Sequence, residues 1–375
     1  MKFLLHFAFL IVALWATGAA GTNSGSVALK RLSLGDIGGW LELPIEMNGK
    51  KSHWLLDTGS NRNLVSRAFA KHHGLASRIL VTADTALGQV QGVEVSLPML
   101  RVGSLERTDQ TALVIDLGSV VGGAADGLDG ILGVLFFESF EIDLDLRNWA
   151  IEIRKSNNAP CPEGMSALAL AQHRGLPVIE VVVDNGDAET LILDTGNAAG
   201  LIRIVGNVIP ASASGIVLPG PARMNLAHRV VVGEQIRFNV PVVQLYSPSL
   251  KQALGDGIGG LAGTAFLDGA RLLVDLDRRR ACIEKGRFVV PGGFGLTLVQ
   301  RDGGLYVGMV LPGSPAQAAG LRVGETIQRW GGGPAVGALP ELWARVRGLD
   351  EFELVVGDEA RLVRLRRAFF APHLP

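Results

Sequence analysis

His53-Trp54-Leu55-Leu56-Asp57-Thr58-Gly59-Ser60 has a counterpart further along the chain, Thr190-Leu191-Ile192-Leu193-Asp194-Thr195-Gly196-Asn197. In both, an apolar rise ends on Asp-Thr-Gly, and the two aspartates stand 137 positions apart. Each rise is preceded by a turn and an earlier strand. Leu41, Leu43, Ile45 and Met47 alternate with Glu42, Pro44 and Glu46, the period-2 pattern of a half-buried strand, and Asn48-Gly49 suits a tight hairpin turn. In the second version Val178 to Val183 runs into Asp184-Asn185-Gly186-Asp187, with the turn asparagine at the same offset. Leu64-Val65 and Leu201-Ile202 follow in register.

The repetition continues downstream. Asp129-Gly130-Ile131-Leu132-Gly133 leads to Phe136, Ile142, Leu144 and Asp145. Gly259-Gly260-Leu261-Ala262-Gly263 leads to Phe266, Leu272, Val274 and Asp275 at an offset of 130, so the second copy is seven residues shorter in its middle. Residues 28–155 and 165–287 therefore read as two similar β-rich lobes. Asn157 to Gly164, with Pro160 and Pro162, is the linker. Duplication on this scale implies a two-fold-like pairing, with any shared site at the junction.

Composition sets the outer bounds. The 375 residues carry a net charge of −1, which excludes a field for nucleic acid or an anionic membrane surface. At 48% hydrophobic and 19% charged residues the chain can bury real cores, and 49 glycines with 6% aromatics point to a β-rich, turn-rich fold. Two cysteines exclude a disulfide scaffold and a cysteine-only zinc site; Cys161 and Cys282 are either one disulfide or two buried thiols. Residues 1–20, with Lys2, an apolar run from Phe3 to Trp15 and small residues to Ala20, have the layout of a secretory signal peptide, the other reading being an uncleaved N-terminal anchor. A periplasmic or secreted mature protein without a membrane span is the expectation.

The paired Asp-Thr-Gly motifs, each entered from an apolar strand and each followed by an apolar-apolar-Gly triplet, resemble the pepsin and retropepsin-like aspartic peptidases. The resemblance covers about 260 residues in paired form. It implies a mainly β, bilobal acid-protease fold and an aspartic endopeptidase acting on peptide or protein substrates. It also implies no metal or other cofactor, and a monomer sufficient for catalysis.

That chemistry has a physical logic. Two carboxylates sharing one proton can draw a proton from water with the charged member and hydrogen-bond a peptide carbonyl with the neutral one. Two unit charges about 3 Å apart at an effective dielectric near 20 repel by roughly 5 kcal/mol, so both cannot ionise at moderate pH. Asp57 and Asp194 are the catalytic candidates. Gly59 and Gly196 allow close backbone approach. In the family, Thr58 and Thr195 cross-link the lobes, and Ser60 matches a residue that donates to the outer carboxylate oxygen. Asn197 departs from the family pattern at the corresponding position. The family's flap corresponds to residues 81–101, a hairpin with Gly88 and Gly92 but no tyrosine, which favours the retropepsin-like branch. The bland reading makes both aspartates turn or cap residues at strand ends; two copies in register argue against it.

After Pro291 the pattern changes. Ser314-Pro315 is an N-cap with proline at the first helical position, Gly320 stops that helix, and a second short helix covers 339–346. Residues 291–368 resemble a PDZ domain of the bacterial type. The resemblance implies that Phe294, Gly295 and Leu296 form a loop whose backbone N–H groups bind a peptide C-terminus, the peptide adding as a strand. The bland reading is a spacer with a blocked groove. The module's nine arginines against eight acidic residues describe solvated strand faces.

Other catalytic signatures fail. Thr22-Asn23-Ser24-Gly25 leaves no upstream room for a mature serine-peptidase histidine and aspartate. No Gly-x-Ser-x-Gly, His-Glu-x-x-His or phosphate loop occurs. Gly122 to Gly133 reads as a tight loop rather than a calcium loop, because its end keeps register with Gly259 to Gly263. The competing function is a non-catalytic extracytoplasmic adaptor that only binds peptides through the duplicated lobes and the PDZ groove.

Overall fold

The computed structural model describes residues 26–32, 38–85, 88–118, 127–207, 216–218, 222–289, 293–311, 313–346 and 348–368. The signal-peptide reading of residues 1–20 and residues 122–126 of the Gly122 to Gly133 loop lie outside them. The protein is mainly β, and the sheet order repeats as the sequence does.

In the first copy Trp40–Met47 and Lys50–Asp57 form the hairpin around Asn48-Gly49, with Leu43 opposite Trp54. Asn48 takes the left-handed φ of 51° that such turns require. Gly130–Gly133 then lies parallel to Lys50–Asp57, placing Gly133 beside Asp57, and antiparallel to Asn63–Ser66. In the second copy Leu176–Val183 and Ala188–Leu193 form the matching hairpin. Gly260–Ala262 inserts in the same way, parallel to Ala188–Leu193 and antiparallel to Leu201–Ile204. The apolar-apolar-Gly triplets are thus the strands that flank each aspartate strand.

The lobes join through a shared six-stranded sheet. Its order is Ser26–Ala28, Ala150–Lys155, Phe140–Asp145, then Arg271–Asp275, Arg280–Glu284, Met165–Ala169. The central pair, with Ile142 opposite Val274, crosses between lobes and lies on the pseudo-two-fold axis. One apolar core runs beneath both lobes, from Leu43 and Trp54 to Leu191 and Phe266. Buried carboxylates reinforce the seam. Asp143 accepts from Arg154 Nη2 at 2.8 Å and, across the lobes, from Arg271 Nε at 2.8 Å; Glu141 accepts from Arg154 Nε at 2.8 Å and from Arg280 Nη2. Each acid thus faces two guanidiniums, the arrangement that offsets desolvation of a buried charge.

Cys161 and Cys282 are disulfide-bonded, with Cα atoms 5.6 Å apart, which resolves the two sequence readings in favour of the bond. The bridge ties the interlobe linker to the shared sheet across 121 residues. Closing so long a loop restricts the unfolded chain strongly, so the paired Cys161→Ala, Cys282→Ala variant is expected to lose about 2–4 kcal/mol. A urea titration of both forms checks this; coincident midpoints would mean the bridge adds nothing.

The last unit is a separate sheet with its own core. Leu296–Arg301, Gly304–Val310, Thr326–Trp330, Glu351–Val356 and Arg361–Arg366 lie in that order. Pro315–Ala318 forms a short helix in which Ser314 Oγ accepts from Gln317 N, and Leu339–Val346 forms the second helix. Phe294, Trp330, Trp343 and Phe352 fill the centre with edge-on ring contacts.

Candidate active site

Each Asp-Thr-Gly turn closes on itself first. Gly59 N donates to Asp57 Oδ1 at 2.8 Å, and Gly196 N donates to Asp194 Oδ1 at 2.9 Å. The turns then lock onto one another. Thr58 Oγ1 donates to Leu193 O at 2.7 Å and accepts from Thr195 N at 3.0 Å. Thr195 Oγ1 donates to Leu56 O at 2.8 Å and accepts from Thr58 N at 3.0 Å. Both threonines are fully buried. The four bonds are related by the pseudo-two-fold axis, so the loops cannot slide without breaking pairs together.

The glycines set the separation. A Cβ built on Gly59 would lie 2.4 Å from Asp194 Cγ, and one on Gly196 would lie 2.5 Å from Asp57 Cγ. Each carboxyl therefore rests against the bare backbone of the opposite motif, and no larger residue fits. Glycines in the flanking strands have the same reason. A Cβ on Gly133 would meet Arg62 O at 2.5 Å, and one on Gly263 would meet Asn197 O at 2.4 Å.

Burial raises both carboxyls above the ordinary aspartate value. For Asp194 the rise is large: burial acts first, the charge of Asp57 second, and a hydrogen bond to Asp57 third. Asp57 is raised by burial but pulled back by accepting from Asp194 and from the Gly59, Ser60 and Gly196 amides. The pair thus holds a proton, with Asp194 donating to an Asp57 carboxylate.

Two supporting residues differ from expectation. Ser60 Oγ donates to Arg62 O at 2.8 Å rather than to an Asp57 oxygen; the serine reaches Asp57 through its backbone N–H, because the turn to Arg62 captures the hydroxyl. Asn197 Oδ1 accepts from Ala199 N at 3.0 Å, the residue reaches Asp194 through its backbone N–H, and its buried Nδ2 has no hydrogen-bond partner among the described residues. The flap hairpin also begins earlier than the sequence pattern predicts. It pairs Ser77–Thr85 with Gly88–Ser96, so Leu97 to Arg101 fall outside it. Its register breaks after Ser77, and Gly92 admits Leu113 where a Cβ would stand 2.6 Å from the leucine Cγ. Residues 86 and 87, at its tip, lie outside the described residues.

Sequence reasoning passed over Trp40. Its Nε1 donates to Gly196 O at 2.7 Å, bracing the second motif from the first lobe. Thr264 Oγ1 donates to Gly39 O at 2.6 Å, and Gly38 N donates to Asp268 Oδ2 at 3.1 Å, so the segment ahead of Trp40 is stitched to the second lobe. The signal was a break in the repeat: at the 137-residue offset from Trp40 stands Pro177, which has no N–H and no ring donor. Of the residues read as a peptide-binding loop, Phe294 is fully buried against Phe352 and beneath the Arg367 guanidinium, and Gly295 O accepts from Leu311 N at 2.7 Å. This loop lies in the C-terminal unit, apart from the carboxyl pair. Among the described residues no group of three or more His, Cys, Asp or Glu is arranged to hold a metal ion.

Residues 43–136 match the family model described as aspartyl protease. No curated protein matches the chain significantly. A solved structure, an aspartic proteinase from Irpex lacteus, aligns with 70% of this chain and 97% of that one, at 13% identity and a TM-score of 0.43.

Proposed function

We propose that this protein is an aspartic endopeptidase in which Asp57 and Asp194 share one proton and activate a water. The observation that carries this is the mutual packing of the two motifs, each glycine against the other's carboxyl. In the resting pair Asp57 is the base that takes a proton from water, while the Asp194 hydroxyl hydrogen-bonds the scissile carbonyl oxygen. Attack, with the Asp194 proton passing to the carbonyl oxygen, gives a tetrahedral diol; on its collapse Asp57 gives its proton to the leaving nitrogen and Asp194 takes one back from the diol. Neither covalent intermediate nor metal is needed.

The C-terminal unit we read as a PDZ-like module that binds peptide C-termini through the loop at Phe294, Gly295 and Leu296. Its support is the short helix after Ser314 and the strand Leu296–Arg301 at the end of its sheet, an edge to which a peptide can add. Placement in the periplasm or outside the cell fits the disulfide, which persists in oxidising compartments.

The test is a peptide-library digest with mass-spectrometric readout, scanned from pH 3 to 7. Cleavage is expected to fall toward neutral pH, as the shared proton is lost from a pair whose values are raised by burial. Chelator and serine-directed reagents should leave it unchanged, and a peptide carrying a tetrahedral hydroxyl-bearing carbon at the scissile position should inhibit. A digest that is empty at every pH would leave peptide binding alone, the adaptor reading.

A further inference from the structure

Beside the carboxyl pair lies a cavity of about 410 Å³, a size that holds a small ligand or a side chain or two of a peptide. It does not contain the carboxyls. One wall is Trp40 together with the turn that follows Asp194, Gly196 to Gly200. A second is the apolar surface of Met224 and Val243 in the second lobe. The third belongs to the C-terminal unit: Thr297 and Val299 on its first strand and Met309 on the next.

The position of that third wall is built in. Met224 and Leu311 are buried against one another, with Leu226, Val243 and Met309 packed around them, so the unit is seated on the second lobe by apolar contact. Its tether is short and rooted. Gly286–Val289 runs parallel to Gln235–Leu245, and the buried Arg237 guanidinium lies between the Phe266 and Phe288 rings at 5.5 and 5.3 Å. From Val289 to Gly293 the chain can reach at most about 14 Å.

The first strand of the unit lines the cavity along its length. Leu296 and Leu298 are buried in the unit's own core and still reach the cavity, beside Thr297 and Val299, which are partly exposed. No described strand lies beyond it in its sheet.

We propose that the cavity is a substrate subsite shared between the peptidase body and the C-terminal unit, and that it takes a bulky apolar side chain of an extended peptide whose scissile bond lies over Asp57 and Asp194. This rests on the peptidase reading and adds to it a working role for the last unit in selecting substrates. Gly196 ties the two places together: it packs against Asp57 and lines the cavity, which sets the cavity directly beside the dyad.

The test uses the full chain and two variants that fill the cavity from the C-terminal side, Val299→Trp and Thr297→Trp, each checked for an unchanged melting temperature. With peptides carrying a large apolar residue at the position the wild-type digest selects, KM is expected to rise about 10- to 100-fold, the worth of burying such a side chain. For matched peptides with glycine there, the rise in KM should be several-fold smaller, because no side chain competes with the tryptophan for the cavity. A second arm measures binding without cleavage: the same library is passed over immobilised Asp194→Asn chain with and without Val299→Trp. Enrichment of apolar peptides that the tryptophan abolishes supports the subsite even where no cleavage is found, and then only the peptidase reading falls. Cleavage and enrichment identical in wild type and both tryptophan variants would overturn the subsite and leave the peptidase reading standing.

Discussion

Asp194→Asn is expected to abolish cleavage while making the protein more stable at neutral pH. The first half follows from removing the proton that polarises the scissile carbonyl, a loss of about 10²–10⁴-fold for a general acid and more where the pair acts as a unit. The second half follows from the direction of the shift. The folded-state value of Asp194 lies well above 3.8, chiefly through burial and then through the charge of Asp57. A raised folded value contributes stability that is fully present below the unfolded value, near 3.9, and is lost as pH rises through the folded value. Above both, each unit of difference costs about 1.4 kcal/mol. Asparagine carries no such penalty. Melting temperatures of parent and variant should therefore nearly coincide at pH 3 and diverge in favour of the variant as pH climbs toward 8. Asp57→Asn should lose cleavage equally but gain less stability, because amide hydrogen bonds already offset part of the burial of Asp57. Parallel melting curves at all pH values, or retained cleavage, would remove the shared proton from the mechanism.

The opposition of the two motifs is legible in the chain because duplication is a long-range signal. Register across 137 residues, in two turns and two aspartates, demands two equivalent frameworks, and two such frameworks bury their repeated apolar faces on each other. The glycine triplets are legible for the same reason, although their job, admitting Arg62 and Asn197 backbone, needs coordinates. What breaks the repeat is only half legible. Pro177 at the offset of Trp40 marks the position as different, but not that its ring holds Gly196 from across the cleft. The direction of the Ser60 and Asn197 side chains depends on which of several nearby backbone groups captures a short polar side chain, a competition settled within a single turn. The seating of the C-terminal unit is hidden too. Met224, Leu311 and Met309 are apolar positions that any strand could place in its own core, and only the three-dimensional arrangement sends them to a shared face.

Thr58→Val tests whether the cross-lobe lock holds the carboxyl pair in place. Valine matches threonine in shape, so packing is kept and only the hydroxyl is lost. That hydroxyl serves two buried partners, accepting from Thr195 N at 3.0 Å and donating to Leu193 O at 2.7 Å. Each orphaned group costs about 1–3 kcal/mol, so the expected loss is about 2–6 kcal/mol, read as a shift in the urea midpoint. Thr195→Val should behave alike, since it orphans Thr58 N and Leu56 O. The two losses should not add: the residues belong to one network, and a coupling of about 0.5–3 kcal/mol is expected in the double variant. Function supplies the sharper readout. A lock that sets the carboxyl separation should, when loosened by about 1 Å, cost about 10²-fold in kcat. Thr58→Ser, which keeps the hydroxyl and removes only a methyl, should restore most of it. If Thr58→Val loses stability but keeps kcat, the threonines merely hold the lobes together, and the spacing of the carboxyls belongs to Gly59 and Gly196 alone.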